Sequence, residues 1–257
     1  MNTFVIAGAA FFASALTLFS GFGLGTLLMP VVAIFFPLDV AIGITALVHF
    51  ANNLFKLGLV GIDAHLGVVC RFGVPAVIAA VFGALLLGEL SSLPPLLEYS
   101  LAGKSLQVMP IKLVVGLVIV LFLVLELSPR FSEMAFDRKY LPLGGCLSGF
   151  FGGLSGHQGA FRSMFLLKAG IDKTQFIATG VVLAVMVDVT RMLIYGWEAG
   201  STQADVDWPL VGVTTVAAFA GAFIGARLIR KLTLRSIQLI VSALLLVVAA
   251  GLISGLL

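Results

Sequence analysis

The chain has 257 residues, of which 60% are hydrophobic and only 11% charged, and its mean hydropathy is +1.17. That composition excludes a soluble globule of this size and defines a polytopic membrane protein. The net charge of +3 comes mostly from cations between apolar segments, which set orientation in a bilayer, and no basic patch interleaved with aromatics points to nucleic acid.

A helix needs roughly 20 apolar residues to cross a bilayer, and the windows 2–20, 39–60, 66–88, 109–127, 172–196, 208–228 and 233–256 meet that length. The first helix is expected to stay, since no charged region precedes it and no small-residue cleavage site closes it. It is followed by a glycine break, Gly21-Phe22-Gly23-Leu24-Gly25, and the chain resumes through Pro30 to Phe36-Pro37. Asp39 then caps a helix that carries His49, Asn52, Asn53 and Lys56. The spacing i, i+3, i+4, i+7 puts all four on one stripe, and a polar stripe on an apolar helix faces the bundle interior. Glu89 to Lys112 reads as a plain connecting loop, and Glu126 to Lys139 as a polar linker. Pro30, Pro75 and Pro110 read as kinks or helix starts.

The segment 140–168 is the irregular one. Between Gly152 and Arg162 it holds four glycines and four polar side chains, Ser155, His157, Gln158 and Arg162, at membrane depth. An unwound backbone is tolerated there only where it is buried in protein or lines a cavity. Its helix ends, with free N–H groups and positive dipoles, favour an anion. Gly156 and Gly159 are the residues that a tight turn requires. Asp172 caps the next helix, which carries Asp188 and Arg191 at i and i+3. Loop 197–207 is acidic and 227–235 is basic, which places the second on the cytoplasmic side.

The chain is read as a duplication. At an offset of 135, Ser20-Gly21 faces Ser155-Gly156, Asn53 faces Asp188 and Lys56 faces Arg191. Two four-segment repeats, 1–127 and 140–257, are joined by a cytoplasmic linker, 128–139. If 1–37 and 140–168 are re-entrant, ten of the twelve loop cations fall on one side and only Lys104 and Lys112 on the other. That split favours inverted repeats, each opening with a glycine-broken helix.

Of the 15 Lys and Arg, Lys56, Arg162 and Arg191 are intramembrane, against one acid, Asp188. The excess of cations suits an anionic ligand. The expected binding residues are Arg191, Arg162, Lys56, Asn52, Asn53, Ser155, Gly156, His157, Gln158, Gly159, Gly21, Gly23 and Gly25, with His157 and Asp188 as coupling groups. Arg191 paired with Asp188 is the structural alternative, and His49 is read as serving structure. No metal or cofactor motif is present: Cys70 and Cys146 are single cysteines, read as buried apolar thiols. Oligomerisation is left open; the small-residue face Gly221-Ala222 to Gly225-Ala226 permits a close helix contact.

The two glycine breaks, Gly21-Phe22-Gly23-Leu24-Gly25 with Pro30 and Gly153-Leu154-Ser155-Gly156-His157-Gln158-Gly159-Ala160-Phe161-Arg162-Ser163, within a duplicated layout, resemble the TauE/SafE sulfite exporter family. The resemblance covers nearly the whole chain. It implies a secondary transporter of sulfite, sulfonates or related anions, an export permease of the bacterial cytoplasmic membrane, working by alternating access with proton or ion coupling. The first break lacks the His-Gln pair and the Arg of the second, so the halves contribute unequally. A passive anion channel would use the same groups. Gly153-Leu154-Ser155-Gly156 and His49 to Asn53 also resemble the GxSG and HxxxN of rhomboid proteases. That reading is set aside because no histidine follows on a later helix, and His157 is expected to point away from Ser155.

Overall fold

A computed structural model of the chain describes residues 2–20, 24–36, 38–101, 103–128, 134–199, 207–228 and 234–257. Among them are ten α-helices: α1 (Asn2–Ser20), α2 (Leu24–Ala33), α3 (Leu38–Val60), α4 (Leu66–Ser92), α5 (Pro110–Leu127), α6 (Leu141–Ser155), α7 (Gly159–Leu166), α8 (Lys173–Ala199), α9 (Trp208–Leu228) and α10 (Leu234–Ser254). Every long apolar window is a helix. Four helices, α3, α4, α8 and α9, contain stretches long and apolar enough to cross a membrane. The outer surface is greasy, with Phe4, Phe82, Leu193 and Val247 all more than 60% exposed, as a lipid-facing surface requires.

Helix starts follow local chemistry. The Asp172 carboxylate accepts the Gln175 N–H at 2.9 Å, and Asp207 accepts the Leu210 N–H at 3.0 Å. The His65 ring accepts from Val68 N at 3.2 Å, and Pro110 occupies the first turn of α5. Such caps contribute about 1 kcal/mol each. Pro30 and Pro75, in contrast, lie inside α2 and α4.

Three expectations are corrected. The connection Glu89 to Lys112 is not a plain loop: α4 runs on to Ser92, then β1 (Leu97–Leu101) pairs antiparallel with β2 (Lys104–Val108). Gly103, at φ 77°, supplies the left-handed turn residue that a two-residue hairpin demands. The Tyr99 hydroxyl donates to the Ser254 carbonyl and fastens the hairpin to the end of α10. Cys70 and Cys146 are exposed on the helix surface. An apolar outward thiol in such a bundle is shielded by lipid, so apolar surroundings in sequence do not mean burial in protein. Most of the glycine-rich run is also regular helix, because α6 continues unbroken to Ser155.

Close helix approaches explain those glycines. A Cβ on Gly145, Gly149 or Gly153 of α6 would strike the backbone of Phe72, Ala76 or Ala80 of α4 respectively, so the two helices run parallel in backbone contact. A Cβ on Gly221 or Gly225 of α9 would likewise strike Phe11 or Ala15 of α1, again in parallel. The small-residue face of α9 is therefore used within the chain. Helices α3 and α8 pack antiparallel, with His65 bonded to Thr179 at one end and Asn53 to Asp188 further along. Helix α7 doubles back beside α6: Phe165 packs on Gly144, and the Phe136 N–H donates to the Met164 carbonyl at 3.4 Å. The chain enters and leaves the α6–α7 hairpin at the same end of the bundle.

Candidate functional site

The polar stripe of α3 and that of α8 meet. His49, Asn52, Asn53 and Lys56 are all buried, and so are Asp188 and Arg191. Asp188 is the hub. Its Oδ2 lies 2.7 Å from His49 Nδ1 and accepts from Asn53 Nδ2 at 2.8 Å. Its Oδ1 accepts from Arg191 Nη2 at 2.9 Å, Arg191 Nε at 3.1 Å and Gln158 Nε2 at 3.2 Å. A buried carboxylate survives desolvation only with this density of donors. His49 Nδ1 donates to this carboxylate in the tautomer that carries its proton there; Asn53 Nδ2 also lies 3.1 Å from the same nitrogen.

The break between α6 and α7 delivers Gln158 to this hub. Gly156 caps α6 at φ 80°, and its N–H donates to the Gly152 carbonyl at 3.0 Å. The Ser148 hydroxyl holds the Gln158 carbonyl at 2.8 Å, and Gln158 Oε1 accepts from Arg162 Nη1 at 3.2 Å. A Cβ on Gly156 would sit 2.8 Å from Arg191 Nη1. Gly156→Ala therefore meets both a left-handed backbone, worth roughly 1–2 kcal/mol, and a guanidinium already committed to Asp188. A lowered melting temperature of the detergent-purified variant is expected, and an unchanged one would show that neither constraint operates. Gly159 is the first residue of α7, and the positive φ of this turn is at Gly156.

The other expected residues divide. Asn52 turns aside, its Oδ1 accepting from Ser14 at 3.1 Å while its buried Nδ2 has no hydrogen-bond partner. His157 does not reach Asp188. Its Nδ1 lies 3.0 Å from the Ser155 hydroxyl and 3.1 Å from the Ser155 carbonyl, its ring is 5.4 Å from Phe122, and its Nε2 is buried without a partner. This corrects the expectation that His157 points away from Ser155. The Ser155 hydroxyl itself bonds the Phe151 carbonyl at 3.2 Å, a helix back-bond. Gly25 brings α2 against His49 and Thr45. Gly21 and Gly23 lie outside the described residues. Among the described residues neither Lys56 nor Arg162 has a carboxylate within ion-pair distance, and no cluster of potential metal ligands occurs.

His49, read as structural from sequence, makes the shortest contact to Asp188. Its place on the Asn53–Lys56 stripe was the available signal. Ser148 and Ser14 carried no signal, since isolated serines in apolar helices are common.

These features define a class: a polytopic membrane protein whose buried polar side chains converge where two antiparallel helices meet a broken hairpin. Family comparison is more specific, because the model of the sulfite exporter TauE/SafE family matches residues 6–252, nearly the whole chain. The chain belongs to this family, which is one of transporters and not of enzymes. No curated protein and no solved structure matches it at a significant level.

Proposed function

We propose that the chain is a secondary transporter that exports a small sulfur-containing anion, such as sulfite, a sulfonate or sulfoacetate, across the bacterial cytoplasmic membrane by alternating access. The observation that favours this reading most is the excess of cations, buried Lys56 and Arg191 and half-buried Arg162 against buried Asp188, at a centre built from two helices and a broken hairpin in a sulfite exporter family. Lys56, Arg162 and Arg191 supply charge; Asn52, Asn53, Ser155, Gln158 and the backbone at Gly156, Gly159 and Gly25 supply neutral hydrogen bonds. Asp188 is the coupling residue of this reading, and His157, off the hub, has a secondary place.

The reading takes the chain as an inverted duplication. Helices α3 and α8 are the counterparts under the offset of 135, and they run antiparallel with the equivalent residues Asn53 and Asp188 in direct contact. A residue that touches its own repeat-equivalent lies at a two-fold axis. The α4–α6 and α1–α9 crossings also exchange under that axis. On this view residues 1–37 form a second hairpin entering from the opposite side, and ten loop cations lie in the cytoplasm.

The test is sulfite movement in proteoliposomes of the purified chain. A transporter shows saturable flux stimulated by sulfite on the opposite face. Flux that rises linearly without such stimulation would replace this reading with a passive channel.

A further inference from the structure

One arginine reaches onto the lipid-facing side of a neighbouring helix. Helices α4 and α6 cross in parallel with Gly145 against Phe72, so the short turn Arg138–Tyr140 that leads into α6 lies level with the first turn of α4. From there Arg138 extends across, and its Nη2 lies 3.7 Å from the place a Cβ would take on Gly67. Gly67 heads a stripe on α4. Gly67, Arg71, Val74, Ile78 and Phe82 follow the i, i+4, i+7, i+11, i+15 spacing of one helix face. Arg71 is exposed, and Val74, Ile78 and Phe82 are each more than half exposed, whereas Phe72, Ala76 and Ala80 on the opposite face are buried. Arg71 therefore stands one turn along from the Arg138 guanidinium on the outward side. Lys139, its Nζ 5.0 Å from the centre of the Tyr140 ring, joins them at this end. All three cations are exposed, and among the described residues none has a carboxylate within ion-pair distance, since both ion pairs there belong to Asp188.

We infer that this end of the α4 stripe is a docking site for an anionic phospholipid, its phosphate held between Arg71 and Arg138 with Lys139 alongside, and an acyl chain lying along Val74, Ile78 and Phe82. Charge complementarity selects the headgroup: three uncompensated cations meet at one spot, and a guanidinium fork matches phosphate oxygens. The stripe selects a lipid over a free ion. From Arg71 to Phe82 the helix rises roughly 16 Å, close to the ~15 Å depth of one hydrocarbon leaflet, and a free phosphate would use none of it. Snorkelling to water accounts for Arg71 alone, but not for Arg138 leaving its own turn to lie over Gly67. This is the end read above as cytoplasmic, the leaflet where anionic lipid gathers. The inference is independent of what the chain transports. A lipid seated here would bridge α4 to the turn before α6, the two helices whose contact positions Gln158 at Asp188.

Phosphatidylglycerol and phosphatidylcholine, titrated separately into the delipidated, detergent-purified full-length chain, test this, with bound lipid counted by native mass spectrometry. Phosphatidylglycerol should bind about tenfold or more tightly and raise the melting temperature, and inorganic phosphate at the same concentration should not. Arg71→Gln and Arg138→Gln should each weaken phosphatidylglycerol binding about fivefold, the worth of one cation beside an anionic headgroup. Both side chains are exposed, so the lipid-free melting temperature should stay at the parent's. Lys168→Gln removes an exposed cation from the same end of the bundle, away from the stripe, and should leave lipid binding unchanged. An equal loss in Lys168→Gln would mean that surface potential alone holds the lipid, and equal stabilisation by inorganic phosphate would mean a free-anion site. A purely structural arginine would lower the lipid-free melting temperature and leave lipid binding intact. Any of these results, equal affinity for the two lipids, or undiminished phosphatidylglycerol binding with both arginines replaced overturns the inference.

Discussion

Arg191→Ala is expected to cost about 3–5 kcal/mol of stability, the scale for leaving one partner of a buried ion pair alone. Asp188 is fully buried, and Arg191 provides two of its five close contacts. Without the guanidinium the carboxylate keeps only His49, Asn53 and Gln158. Sequence alone suggests that this variant folds normally and loses only transport; the geometry assigns it a structural cost as well. Thermal unfolding of the purified protein measures it, and Asp188→Ala combined with Arg191→Ala should recover most of the loss, because the residual buried charge is then gone. Parental stability in the single variant would show that the pair does not hold this centre.

Gly149→Val should be comparably severe. Its Cβ would lie 2.6 Å from the carbonyl carbon and Cα of Ala76, and closer still to the oxygen. These are backbone atoms in a helix and cannot turn aside, so α6 must move off α4. Overpacking costs about 1–3 kcal/mol when side chains can adjust, and here the displaced helix also carries Gln158 away from Asp188. A large drop in melting temperature together with loss of anion binding is the expected result. Gly212→Ala in α9 is the control, since nothing lies within 4 Å of its Cβ position. Helix propensity predicts that it gains up to about 1 kcal/mol. If both variants melt like the parent, α4 and α6 are not in backbone contact.

Much of this was legible in the sequence because membrane helices obey two simple constraints, apolar length and polar residues turned inward. The seven long windows are all helices, and the stripe His49, Asn52, Asn53, Lys56 points inward as its spacing requires. The offset of 135 pairs Asn53 with Asp188 only as equivalent positions in the chain; that the two side chains lie 2.8 Å apart was not part of that reading. What stayed hidden has a common cause. Glycine serves both to break a helix and to admit a neighbouring backbone, and nothing local to Gly145, Gly149 or Gly153 says which; the deciding atom belongs to α4, some 73 residues away. The hairpin at 97–108 was missed, and one of the contacts that holds it in place, Tyr99 to the Ser254 carbonyl, comes from the far end of the chain. The pairing of Arg191 with Asp188 was foreseen as an alternative, but His49 as the third member depends on how two antiparallel helices cross.

The parallel crossing of α1 with α9 bears on how the protein is made. Phe11 waits for Gly221, and at ~5–20 residues per second the ribosome needs roughly 10–40 s to reach it. Helix α6, by contrast, is synthesised beside an α4 that already exists. During that interval α1 sits in the bilayer with this face open to lipid or to a membrane chaperone, until α9 closes over it.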